Sequence, residues 1–138
     1  MASLIYNSCL DDLARGSIDF DTDTFKTLLV TSSYTPDKDT HLKRSSVTNE
    51  VTGTGYTAGG ATSACTVTKN TTNDKITLSF AAVSWATSTI TARGAVIYKS
   101  RGGASSADEL VAYIDFGGDV SSTGGTYSVS ASTITLQN

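Results

Sequence analysis

The chain has 138 residues, 12 glycines, a single proline and a formal net charge of −3, with an isoelectric point near 4.9. That length supplies one domain and one core, and the acidic balance lacks the basic stripe that meets phosphates, so no nucleic-acid partner is expected. Ser and Thr make up about three residues in ten, a composition of short strands and many turns.

The N-terminal stretch MASLIYNSCL has no basic segment followed by a long apolar one, so neither a signal peptide nor a membrane span is expected. Residues 1–17 read as an arm and a short helix. Asn7 or Ser8 is the expected cap, Asp11 and Asp12 complement the helix dipole in the first turn, and Gly16 is the stop. Leu10, Leu13 and Ala14 form the stripe expected to pack on the body. From 25 to 31, FKTLLVT is apolar on both parities, which predicts a strand covered on both faces.

Residues 32–60 show no sustained period and concentrate Pro36, Asp37, Asp39, Lys43, Arg44, Gly53, Gly55, Gly59 and Gly60. A long surface excursion follows, and loops of this length are commonly functional. A binding or assembly surface is the expectation, against a merely structural Ω-like loop.

Beyond Gly60 the pattern is β. Cys65 and Val67 alternate with Thr66 and Thr68, residues 70–74 turn, and Ile76, Leu78 and Phe80 alternate with Thr77 and Ser79. Val83 and Trp85 continue into a longer strand over 90–99, where Gly94 marks a bulge or a close backbone approach. After RGGASSAD comes a strand over 110–116, and the GGD and STGG turns bracket a last pair over 127–131 and 133–136. About eight strands at this spacing predict one all-β domain over 1–138, an antiparallel β-sandwich with a short N-terminal helix. Its expected core includes Leu28, Phe80, Trp85, Val96, Tyr98, Ile114 and Phe116.

Chemical motifs are sparse. Asp19, Asp21 and Asp23 begin a calcium-loop pattern, but Thr24 and Val30 stand where an EF-hand needs Gly and Glu, so a solvated turn is expected and no metal. His41 is the only histidine, too little for a multi-histidine site, and no catalytic residue is assigned. GTGYTAGG lacks the Lys-Ser/Thr of a phosphate loop, and Arg101-Gly102-Gly103 is a lone RGG, best read as a connection. Cys9 and Cys65, far apart and outside any metal spacing, are expected as free thiols. No cofactor and no enzymatic activity are expected.

The order IYNSCLDDLARGSIDFDTDTFKTLLVTSSYTPDKDTH, then VTNEVTGTGYTAGGAT, then STITARGAVIYK and LVAYIDFGGD resembles small virion proteins of tailed bacteriophages. Within them it is most similar to the capsid cementing, or decoration, proteins of short-tailed Bordetella phages. The resemblance runs over nearly the whole chain. It implies a jelly-roll fold, a place on the capsid exterior after assembly in the host cytoplasm, and the major capsid protein as partner. Lys43, Arg44, Tyr56, Gly59 and Gly60 are the expected capsid-binding residues. Self-association as a homodimer is expected, with a trimer as competitor. A tail or fibre component and a carbohydrate-binding β-sandwich module are the alternative functions.

Overall fold

The computed structural model describes residues 2–138. In chain order it contains β1 (Leu4–Ile5), α1 (Asn7–Ala14), β2 (Phe25–Val30), β3 (Ala61–Thr62), β4 (Cys65–Asn70), β5 (Lys75–Phe80), β6 (Val83–Lys99), β7 (Leu110–Val129) and β8 (Ser132–Gln137). All strand pairs are antiparallel. They form a five-stranded sheet in the order β1-β7-β6-β2-β3 and a three-stranded sheet in the order β4-β5-β8. The all-β sandwich with one N-terminal helix is therefore the observed architecture.

The register explains why β2 is apolar on both parities. Leu28 pairs with Val96, which pairs with Tyr113, and this rank faces one side; Thr27, Ile97 and Ala112 form the neighbouring rank and face the other. On the second side Phe25, Ile97 and Val111 meet Leu78 and Phe80 of the three-stranded sheet, together with Cys9, Ile18 and Phe20. Farther along the same side, Leu29 and Ala95 join Val51, Trp85, Ile90 and Tyr127. The first side buries Leu28, Val30, Val96, Tyr98 and Tyr113 under Tyr6, Tyr34 and Val47. Residues 32–60 are thus a covering layer over the large sheet rather than a free excursion.

Three local expectations are corrected. Tyr6, in extended backbone, is the helix N-cap and no side chain caps α1, so neither Asn7 nor Ser8 does so; Asp11 and Asp12 lie beyond the first turn. Cys9 and Leu13 face the core, one turn apart, while Leu10 is 51% exposed. Gly16 does stop the helix, in left-handed backbone at φ +79°.

The strands read separately as 83–85 and 90–99 are one strand, β6, and 110–116 continues through both glycine turns to Val129 as β7. The ladder survives because its extra residues bulge out. Gly94 pairs with Asp115 and Ala92 with Val120, so one residue of β6 opposes four of β7. Gly117 (φ +79°) and Gly124 (φ +62°) supply the left-handed backbone that such detours require. Gly94 is also a close approach, since a Cβ there would meet the Tyr113 ring and the Ile114 carbonyl.

Leu28, Phe80, Trp85, Val96 and Tyr98 are buried as expected. Ile114 and Phe116 are only half-buried. Both line a groove beside the corner that joins β7 to β8, where the smaller sheet leaves the face of β7 partly open. Cys9 and Cys65 are free thiols. Burial, helped by Asp12, pushes the Cys9 thiol up to about 12, and burial with Asp21 pushes Cys65 up to about 11.

Candidate interaction surface

The covering layer is fastened at four places, and the fasteners include all five expected contact residues. The first is charged. Arg44 donates through Nε to Asp108 Oδ2 (2.8 Å), and its guanidinium lies 5.0 Å from the centre of the Tyr98 ring. Lys43 Nζ is 3.6 Å from Glu109 Oε1, and Arg101 Nε donates to both Glu109 oxygens (2.7 and 3.2 Å). Asp108 and Glu109 are each only 1% exposed, so these cations neutralise buried acids, as burial demands. Burial alone would raise the Glu109 carboxyl; the Arg101 hydrogen bond and the Lys43 charge outweigh it and hold the group below its ordinary value.

The second fastener centres on Glu50. Its Oε1 accepts from the Tyr56 hydroxyl (2.7 Å) and the Gly59 amide (2.6 Å). The Tyr56 oxygen in turn accepts from the Leu29 amide of β2 (3.0 Å), and the Tyr98 hydroxyl donates to the Gly59 carbonyl (2.6 Å). The Tyr56 ring rests against Trp85, centroids 5.3 Å apart. Burial, with the Glu50 carboxylate, pushes the Tyr56 phenol far up, so it stays a donor.

Backbone contact supplies the third fastener. Gly60 (φ +80°) touches β2 so closely that an added Cβ would overlap the Thr27 carbonyl. Farther back along the chain, Gly53 and Gly55 lie against Thr89 and Ser88 of β6, where Thr54 bridges to Thr89.

The fourth is the 34–41 turn. Asp37 Oδ1 accepts from the Asp39 and Thr40 amides (2.9 and 3.1 Å), which hold that carboxyl below its usual range. His41 Nδ1 accepts from the Asp37 amide and lies 2.9 Å from the Tyr34 hydroxyl, itself 2.8 Å from the Tyr6 hydroxyl. The imidazole thus ties the turn to the core.

What this leaves outward is a largely polar surface with one large apolar side chain. Thr35, Lys38, Asp39, Thr40, Thr48 and Asn49 are exposed, and Leu42 is 52% exposed. Spacing alone did not separate these from the fasteners. The partners of Lys43 and Arg44 are sixty-odd residues away in sequence, although the adjacent acids Asp108-Glu109 on a strand pattern were the one visible sign of buried countercharge.

The 19–23 turn engages two of its three carboxylates within the fold. Asp23 Oδ2 accepts from the Asp19 amide (2.7 Å) and pairs with Lys99 Nζ (2.8 Å), and Asp19 Oδ1 accepts from the Asp21 amide (2.9 Å). Among the described residues no group of three His, Cys, Asp or Glu side chains is placed to hold a metal, and no helix is long and apolar enough to cross a membrane. Arg101 serves the β6–β7 connection through Glu109, with its amide donating to Asp108 Oδ1 (2.8 Å). Comparison of the chain with known protein families, with curated proteins and with solved structures finds no match.

Proposed function

We propose that this chain is a capsid decoration protein of a tailed bacteriophage, bound to the outside of the shell and cementing neighbouring copies of the major capsid protein. The observation that carries the reading is the state of residues 32–60. The segment richest in the phage-like motifs is a fastened polar layer, with Glu50, Tyr56 and Gly59 of NEVTGTGYTAGG forming one of its locks. A surface already ordered before contact loses little conformational freedom on binding. On this reading Leu42, with Lys38, Asp39 and Thr40 around it, meets the shell, while Lys43, Arg44, Tyr56, Gly59 and Gly60 hold that surface in shape. The jelly-roll connectivity of the family belongs to the same proposal.

A homodimer on the capsid two-fold axes would let each arm reinforce the other through effective concentration. In the three-stranded sheet β4 and β8 are end strands, and self-pairing is one way to protect such an edge. The test is electron microscopy of virions and of shells stripped of this protein and then mixed with it. The expected result is density on the shell exterior in pairs, lost with Leu42→Asp, a change at an exposed position that leaves the fold intact. Density on the tail would replace the proposal by a tail or fibre role, and clusters of three would replace the dimer by a trimer.

A further inference from the structure

The larger sheet ends in β1 and β3, the smaller in β4 and β8. An end strand presents unpaired amides and carbonyls to any chain that can lie beside it, and proteins blunt such edges with short strands, charges, prolines or bulges. Most edges of this fold are blunted. β1 and β3 are two residues long, and β4 carries Lys69. The stretch of β7 that runs on past β1 is interrupted by bulges opposite residues 92–94 and 88–90 of β6. β8 has none of these devices. Its residues, STITLQ, include no charge, proline or glycine, and its register with β5 is unbroken from Ser132 to Gln137. Among the described residues no backbone group outside β5 bonds to it.

Beside this edge the sandwich is open. A space of about 420 Å³ separates β8 from the β1–β7 flank of the larger sheet. Leu4, Ile5, Ala112, Ile114 and Ile134 line it and, among the described residues, no charged one does. Ile5 is 37% exposed. An occupant must therefore offer an extended backbone to the edge and uncharged side chains to the seam. β8 itself meets both requirements. Laid antiparallel against a copy of itself about Thr135, it sets Ile134 opposite Leu136, Thr133 opposite Gln137 and Thr135 opposite its own counterpart. Opposed residues share a face, so the half-buried Ile134 and Leu136 meet on the inner side and the exposed polar residues meet on the outer one. Centring on Ile134 instead would oppose Ser132 to Leu136. We infer that a second copy of this chain occupies the edge, with β8 paired to β8 about a two-fold axis at Thr135, so that two three-stranded sheets become one continuous sheet. The inference deepens the homodimer of the capsid reading and rests on it, but its measurement uses no capsid, so the two can fail separately.

The experiment is sedimentation equilibrium of the intact protein over a dilution series. A species of twice the 14.3 kDa chain mass is expected. Thr135 is exposed, so Thr135→Lys and Thr135→Glu should each keep the parent's circular dichroism while setting like charges against one another across the axis. Each variant alone should dimerise about fivefold more weakly than the parent in low salt, and with a smaller deficit in high salt. Mixed in equal amounts, the two should dimerise as well as the parent, since Lys then faces Glu. Thr68→Lys, exposed on the β4 edge, should dimerise like the parent. A parent that is monomeric up to about 100 μM, or trimeric, overturns the inference. So do Thr135 variants that dimerise like the parent, a mixture that stays as weak as its components, or a dimer lost with Thr68→Lys.

Discussion

Trp85 stands between two other rings, with Tyr56 on the covering layer at 5.3 Å and Tyr127 on β7 at 6.4 Å between centroids. It is therefore both core and joint. Truncation to Ala would remove the largest ring of that cluster and leave a void that three separate segments cannot jointly close, so a loss of about 3–5 kcal/mol is expected. Urea unfolding checks the figure, and a loss under about 1 kcal/mol would contradict the packing. Gly60 makes the opposite case, in which adding atoms does the damage. An alanine there would combine left-handed backbone with a Cβ inside the Thr27 carbonyl, and about 2–5 kcal/mol of destabilisation follows. Gly102→Ala is the control, with the same positive φ but open space around the added carbon, and it should cost only the backbone share.

Among elements, the covering layer has almost no regular secondary structure, yet several backbone hydrogen bonds tie it to the strands and their connections. The Val51 amide bonds the Leu29 carbonyl, the Thr31 amide the Asn49 carbonyl, and the Arg44 amide the Asp108 carbonyl. Hydrogen exchange should therefore protect Val51, Gly59 and Arg44 to the degree of strand amides, whereas a loose loop would exchange them within the dead time. The charged fastener adds a pH dependence. Glu109 has a folded pKa below its unfolded value, so the stability it contributes is complete above the unfolded value, near 4.5, and fades as pH falls through the lowered folded one. The urea midpoint should stay level from neutral pH to about 5 and then drop. Glu109→Gln should flatten part of that acid slope and cost about 1–3 kcal/mol at neutral pH, by leaving Arg101 without its ionic partner.

Over the whole molecule, β2, β6 and β7 each feed all three buried clusters, and the central strand β6 does so through Ile97 to one, Trp85 and Ala95 to another, and Val96 and Tyr98 to the last. No cluster can open without disturbing that strand, so unfolding should be a single transition. Tryptophan fluorescence and far-ultraviolet circular dichroism should report coincident midpoints. The same midpoint should be insensitive to calcium chelation, because Asp23 is already neutralised by Lys99 and Asp19 already accepts backbone amides. A drop on adding chelator would show that the 19–23 turn binds a cation in solution.

Local pattern was enough wherever one strand's period or one residue's conformational need decided the outcome. The two-sided burial of β2, the β4–β5 hairpin and the glycine stop after α1 were legible in this way, because each depends on near neighbours and a repeat of two or four residues. Tertiary structure alone decided which charges point inward. Lys43 and Arg44 look like surface cations until the chain returns, some sixty residues later, with two buried acids. Likewise Gly117 and Gly124 look like turns until β6 lies alongside and its ladder makes them bulges. A polar segment becomes a layer or stays a loop according to partners far away in sequence, and composition carries no record of them.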